Sequence, residues 1–187
     1  MGTYDDARAL YAENGVFAAF DLETTGLDAQ KDQIVEIGAV KFDRRGLIAR
    51  FSTLINPGIP MPPEAGKVNN ITDSMLKDQP MLDEVLPDFI RFIKNTILIA
   101  HNAPFDCGFI NAKLKEKRAW TPPFSSLPNR VLDTLVFSRE TFPGRRTYKL
   151  GDLARDLEIP MGDAHRAEDD AAACMEIFLR CIAASGV

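Results

Sequence analysis

Four acidic side chains and one histidine are the residues of this chain whose chemistry stands out. They come from three short segments far apart in the sequence, residues 20–26, 101–106 and 165–171. If the fold brings the acids into one cleft, their charges repel one another unless divalent cations offset them. The set therefore predicts a metal-dependent hydrolase that acts on phosphodiesters.

The spacing of these residues fits a shared cleft. Asp21 and Glu23 are two residues apart in a predicted strand, so their side chains point to the same face of a sheet. Asp106 falls in the first turn of a predicted helix, after a strand end. His165 and Asp170 are five residues apart, and both can face one cleft if a loop carries the histidine and a helix start carries the acid.

Oxygen ligands of this kind suit magnesium or manganese better than zinc. Two such ions about 4 Å apart can activate a water and stabilise a leaving oxygen in one displacement. A histidine with a pKa near neutrality is a natural base for that water. Each acid alone has an ordinary interpretation, since Asp-x-Glu is common on strands and aspartate often caps a helix. Their joint placement at strand ends and helix starts favours a catalytic centre.

The elements that must position these residues alternate in type along the chain. Three β-rich runs come first and predict an antiparallel meander, and short apolar strands then alternate with amphipathic helices. The predicted strands are 16–21, 34–43, 47–56, 97–100 and 131–132, and the main helices are 81–94, 103–118, 148–157 and 167–183. The segment 57–80, rich in proline, glycine and asparagine, predicts short helical turns, 119–130 predicts a loop, and Asp133 can cap the helix that follows it. This order indicates an α/β fold with a mixed sheet flanked by helices, in one domain over residues 1–187 with a core from about 16 to 183.

The composition allows this interpretation. The chain has 187 residues, 45% of them hydrophobic, and a net charge of −5. A strongly basic face, the usual sign of nucleic-acid binding, is not evident. However, two divalent ions would add four positive charges where a phosphate must sit.

Cysteine usage and hydropathy bear on the cellular compartment in which the protein is expected. The three cysteines, Cys107, Cys174 and Cys181, form no Cys-x-x-Cys pair, so we expect free, partly buried thiols. No apolar signal segment begins the chain, and no run approaches the roughly 18 apolar residues of a membrane span. The sequence predicts a cytoplasmic protein without a membrane partner.

The motifs together resemble the DEDDh group of 3′–5′ exonucleases, and in particular the proofreading (epsilon) subunit or domain of bacterial DNA polymerase III. The resemblance covers about residues 16–182 and rests on segments 20–26, 34–40, 101–106, 148–150 and 165–171. It implies a ribonuclease H-like, mixed five-stranded sheet with three antiparallel strands followed by two parallel ones.

The resemblance also implies roles. Asp21, Glu23 and Asp170 would hold two Mg²⁺ or Mn²⁺ ions, with Asp21 bridging them, and Asp106 would complete the metal site partly through bound water. His165 would be the general base. Since the family pattern places its last acid five residues after this histidine, Asp170 is selected over its neighbour Asp169.

Four further residues are implied to contact the substrate. Thr24 and Leu27 would lie beside the 3′-terminal nucleotide, and Phe105 and His101 would line the same cleft, with bracing of the loop as the alternative for His101. The chain departs from many relatives at 68–72, where it reads Val-Asn-Asn-Ile-Thr in place of Val-His-Gly-Ile-Thr. Substrate contacts carried over from relatives at that loop do not apply directly.

The predicted reaction is stepwise, metal-dependent hydrolysis from the 3′ end of single-stranded DNA, which releases nucleoside 5′-monophosphates during proofreading, repair or trimming. Arg139, Arg145, Arg146 and Lys149 form a basic stretch that either contacts upstream phosphates or is a solvated face. One alternative is an exoribonuclease acting on RNA 3′ ends or short oligoribonucleotides. Another is an inactive nucleic-acid-binding module, which would predict a broken acid set. A polymerase subunit is a possible partner, although the chain ends soon after its last helix, which favours a stand-alone enzyme.

Overall fold

A five-stranded mixed sheet forms the centre of the molecule. The computed structural model describes residues 4–116, 126–162 and 166–184. The strands, in the spatial order β3-β2-β1-β4-β5, are β1 (Phe17–Thr24), β2 (Ile34–Asp43), β3 (Gly46–Leu54), β4 (Ile97–Ala100) and β5 (Val131–Asp133). β1, β2 and β3 pair antiparallel, whereas β4 pairs parallel with both β1 and β5. The predicted sheet is confirmed.

Helices cover the sheet and follow the predicted pattern closely, with an additional helix in the proline-rich segment, where the sequence indicated only short helical turns. Within the described residues they are α1 (Tyr4–Ala12), α2 (Pro63–Asn69), α3 (Asp73–Leu76), α4 (Leu82–Phe92), α5 (Ala103–Glu116), α6 (Thr134–Thr141), α7 (Leu150–Asp156) and α8 (Ala167–Ala183). None of these helices is long and apolar enough to cross a bilayer. The loop predicted at 119–130 lies largely outside the described residues, and the single domain over 1–187 stays a prediction.

The alternation of side chains along β1 determines which helices each residue meets. Phe17 and Ala19 pack into a buried cluster with the α8 residue Phe178, whereas Ala18 and Phe20 join a second cluster on the other face, with α4 and α5. Because side chains on a strand alternate between faces, Asp21 and Glu23 continue the row that faces α8.

A glycine lets α8 lie close to this face. Gly38 of β2 pairs with Asp21 across the sheet. A Cβ atom at Gly38 would lie 2.0 Å from both the carbonyl carbon of Ala167 and the nitrogen of Glu168. The first turn of α8 therefore sits on Gly38, directly beside Asp21, and any side chain at this position would push the helix away.

The three cysteines serve packing, as the sequence predicts. Cys174 and Cys181 are buried in the α8 cluster, and none of the three cysteines forms a disulfide. Burial raises the pKa of the Cys107 thiol to about 12, so this thiol is protonated at neutral pH. It lacks the thiolate character that a nucleophile needs.

Candidate metal centre

Three carboxylates meet where β1 ends and α8 begins. Asp21, Glu23 and Asp170 each offer an oxygen, and these three atoms all lie within 4.8 Å of one another. They line an open cleft of about 810 Å³, to which α7 and the residue before it, Lys149, also contribute. The sequence predicts these acids at a strand end and at a helix start. The structure brings these two places next to each other.

The carboxylates hold protons more tightly than isolated acids do. The pKa of Asp21 is raised well above its usual range, by burial first and then by the charges of Asp106 and Asp170. The pKa of Glu23 is raised to about 8, again by burial first and then by Asp170. Crowded, partly buried acids of this kind favour bound cations, because a cation removes both the repulsion and the desolvation cost. The all-oxygen donor set fits Mg²⁺ or Mn²⁺.

Asp106 lies behind this group of three. It is buried in the first turn of α5, and its Oδ1 accepts a hydrogen bond from the backbone nitrogen of Leu22 at 3.2 Å. Burial raises its pKa to about 8, against the lowering effect of backbone hydrogen bonds. Asp106 is close enough to raise the pKa of Asp21 but is not a member of the three-residue group. Its metal role, partly through water, stays a prediction.

The neighbouring acids Asp169 and Asp170, both in the first turn of α8, point in different directions. Asp170 faces Asp21 and Glu23. The carboxylate of Asp169 instead lies against the backbone of Gly162, with its carbon 2.5 Å from where a Cβ would be. His165 lies outside the described residues, so its role as general base stays a prediction.

The four residues predicted to contact substrate occupy different environments. Thr24 is buried, and its hydroxyl donates to the carbonyl of Gly26 at 2.6 Å, which shapes the turn after β1. Leu27 is 86% exposed just beyond that turn, free to meet a ligand. Phe105 is half-buried and packs its ring 5.0 Å from that of Phe109. Substrate contact stays a prediction for Thr24, Leu27 and Phe105.

His101 is used as a brace. Its Nε2 donates to the carbonyl of Tyr148 at 2.7 Å, and its Nδ1 pairs with the hydroxyl of Thr134 at 2.9 Å. Burial lowers its pKa, so the ring is neutral at pH 7. With both ring nitrogens bound to protein groups, His101 ties the β4–α5 turn to α6 and to the segment before α7. The geometry favours the bracing alternative over a substrate contact.

Two residues near the centre were not singled out from the sequence. Asn69 is 2% exposed, and its amide donates to the carbonyl of Thr24 at 3.4 Å. A hydrogen bond from the same side chain lowers the pKa of Glu23, against the larger effect of burial. Glu36 pairs with Glu23 across β1 and β2, is 1% exposed, and binds Arg166. The departure at Asn69 and an acid inside an apolar strand were the available signals.

Basic side chains reach the cleft from the α7 side. Lys149 and Arg155 line it, and Arg155 also pairs with Asp152 at 2.6 Å. Two members of the basic stretch are occupied elsewhere, since Arg145 pairs with Asp156 at 3.0 Å and Arg139 lies over the Tyr148 ring. Of the four residues in the basic stretch, Lys149 lines the cleft that also holds the three carboxylates.

Comparison with known proteins identifies the family. A family model described as exonuclease matches residues 18–178. The chain is 49% identical over 182 residues to DNA polymerase III subunit epsilon of Treponema pallidum, covering 96% of this chain and 82% of that protein. It is 42% identical over 168 residues to DNA polymerase III PolC-type of Caldanaerobacter subterraneus, covering 90% of this chain but 12% of that protein.

Solved structures share the fold. Exonuclease X, in complex with 5′-overhanging duplex DNA, superposes with a TM-score of 0.73 at 25% identity, covering 91% of this chain and 93% of that one. A 3′-exonuclease that recognises the histone mRNA stem-loop has a TM-score of 0.75 at 17% identity, covering 92% of this chain and 65% of that one, a likeness of fold alone. The chain therefore belongs to the exonuclease family, as the resemblance of its motifs to 3′–5′ exonucleases predicts.

Proposed function

We propose that this exonuclease removes nucleotides from the 3′ end of single-stranded DNA, with two Mg²⁺ or Mn²⁺ ions held by Asp21, Glu23 and Asp170. The single observation that carries the proposal is the meeting of these carboxylates within 4.8 Å in an open cleft. When bound, such ions lower the pKa of water and stabilise charge on a phosphoryl oxygen.

The chain's own residues complete the reaction. His165 accepts the proton of the attacking water, and Asp106 orients water at the back of the site. Lys149 also lines the cleft, where its ammonium contacts a backbone phosphate. Leu27, exposed beyond the end of β1, packs against the terminal base. The product is a nucleoside 5′-monophosphate.

The test compares matched DNA and RNA oligonucleotides labelled at the 5′ end, with Mg²⁺ and with a chelator. We expect a ladder of products shortened from the 3′ end of DNA, only with metal. Asp170→Asn should reduce the rate about 100-fold or more, because a metal ligand contributes several kcal/mol. Preferential digestion of RNA would instead support an exoribonuclease, and digestion by Asp170→Asn at the parent rate would refute the metal site.

The relatives also support a polymerase partner. Two are named DNA polymerase III subunit epsilon, and one of these shares 49% identity over most of its length. We expect the chain to act beside a bacterial DNA polymerase in the cytoplasm, removing misincorporated 3′ nucleotides. Co-elution with the polymerase subunit of its own organism in gel filtration tests this, and separate elution at micromolar concentration would favour a stand-alone enzyme.

A further inference from the structure

An ion pair between buried Glu36 and partly exposed Arg166 connects β2 to the first turn of α8. The Glu36 side chain is 1% exposed, and its Oε1 accepts from Nη2 of Arg166 at 2.8 Å. The Arg166 Nε donates to both carboxylate oxygens, to Oε1 at 3.1 Å and to Oε2 at 3.3 Å. The Oε2 of Glu36 also accepts from the backbone nitrogen of Ala167 at 3.2 Å. Both carboxylate oxygens are therefore bound by the start of α8, in the fork geometry that fixes an arginine in orientation as well as in distance.

A single backbone hydrogen bond joins Arg166 of this ion pair to Asp170 of the candidate metal centre. Arg166 is the N-cap residue of α8, and its carbonyl accepts from the backbone nitrogen of Asp170 at 3.0 Å. Since the first turn of α8 also rests on Gly38, opposite Asp21, a shift of Arg166 moves Asp170 relative to the β1 acids.

We propose that Glu36 and Arg166 are a positioning pair that holds Asp170 at the distance from Asp21 and Glu23 needed to bind a divalent cation. The inference rests on the proposed metal site and adds the pair that sets its affinity. Neither residue touches the reacting atoms. Partners that orient metal ligands in this way typically contribute about 10- to 100-fold in affinity.

A purely stabilising role and a purely electrostatic role for the pair predict different outcomes. If the pair served only general stability, its loss would lower the unfolding midpoint without a specific change in cation affinity. If Arg166 acted only through its charge, removing that positive charge beside three carboxylates would strengthen cation binding. Of the three roles, only positioning predicts that Arg166→Gln specifically weakens cation binding.

The experiment measures Mn²⁺ binding to the full chain, from the electron paramagnetic resonance signal of free Mn²⁺, together with the unfolding midpoint. Arg166→Gln and Glu36→Gln should each weaken binding about tenfold, with no further loss in the double variant, because the two residues act as one unit. Arg166→Lys keeps the positive charge but cannot bind both carboxylate oxygens as arginine does. It should weaken Mn²⁺ binding about threefold, which is half of the tenfold effect on a logarithmic scale.

Arg50→Gln is the matched control. Arg50 Nη1 pairs with Glu168 at 2.8 Å on the same helix turn, but this pair is exposed and makes no contact with the acids. Its removal deletes the same charge near α8 and should leave Mn²⁺ affinity within about twofold, as for an ordinary surface ion pair.

Several results would overturn the positioning role. Unchanged or tighter binding in folded Arg166→Gln would do so, as would an equal loss in Arg50→Gln or additive losses in the double variant. A parent protein that binds Mn²⁺ but leaves oligonucleotides intact would refute the proposed nuclease activity, while the binding ratios still decide the role of the pair. A parent that binds no Mn²⁺ would overturn both.

Discussion

Replacing Glu23 with glutamine should stabilise the cation-free protein, and by a larger amount at higher pH. Glutamine copies the shape of a neutral glutamic acid but does not titrate. Burial, followed by the charge of Asp170, raises the pKa of Glu23 from 4.5 to about 8. The folded protein therefore keeps a proton on Glu23 up to about pH 8, whereas the unfolded chain releases it near pH 4.5.

The size of the effect follows from this window. Between the two pKa values, each pH unit costs the folded parent about 1.36 kcal/mol relative to the unfolded chain. From about pH 5.5 to about pH 7.5 the sum approaches 2.7 kcal/mol for a fully buried group. Glu23 is half-buried, so solvent reduces this, and we expect the advantage of the glutamine variant to grow by roughly 1–2 kcal/mol.

Urea unfolding of parent and variant in a chelator, at both pH values, measures this difference directly. The comparison between the two proteins cancels the titrating groups that do not interact with Glu23. With Mn²⁺ present the order should reverse, because the parent gains binding energy that the variant lacks. A difference between parent and variant that is the same at both pH values would refute the reasoning, because Glu23 would then ionise like an exposed acid.

Three further predictions concern the surroundings of the site. Gly38→Ala should lower the free energy of unfolding by about 1–3 kcal/mol and weaken Mn²⁺ binding, because its Cβ meets the backbone of α8. Asn69→Asp should lower the free energy of unfolding of the cation-free protein by about 1–3 kcal/mol, since it places another carboxylate against Glu23. His165→Ala should reduce kcat about 10²- to 10⁴-fold with little change in KM, measured on a single-stranded oligonucleotide.

Neighbouring residues provide the controls. A Cβ at Gly108 in α5 meets nothing within 4 Å, so Gly108→Ala should stabilise by about 0.5–1 kcal/mol. Asn70→Asp adds the same charge as the Asn69 variant at the exposed, left-handed C-cap of α2 and should cost less than about 1 kcal/mol. Equal effects of Gly38→Ala and Gly108→Ala, or of the two asparagine variants, would contradict these contacts. An unchanged kcat in His165→Ala would assign the base to another group.

Local pattern was enough to predict much of the architecture. The apolar run that ends in Asp21 predicted β1, and the period of two predicted that Asp21 and Glu23 share a face. The bounds of α8, residues 167–183, and the capping of α6 by Asp133 agree with the structure, where Asp133 accepts from the backbone nitrogen of Leu135 at 2.9 Å. These features depend on neighbours within a few residues, so the sequence carries them directly.

The resemblance to a family supplied what local pattern could not. Asp169 and Asp170 are equivalent in residue type, and only the five-residue spacing from His165 selected the second. The structure places Asp170 beside Asp21, with Asp169 against Gly162, because the phase of α8 on the sheet separates their directions. That phase is set by the contact of the helix with Gly38, a residue more than 120 positions away.

Only the tertiary structure decided which polar residues serve the site and which support it. The ring of His101 is taken up by Thr134 and Tyr148, while Asn69 and the Glu36–Arg166 pair reach the acids from other elements. The sequence by itself determined the acids, their strand and helix, and the class of reaction. The supporting contacts join residues 33 to 130 positions apart, and their partners are chosen by how the sheet and helices pack.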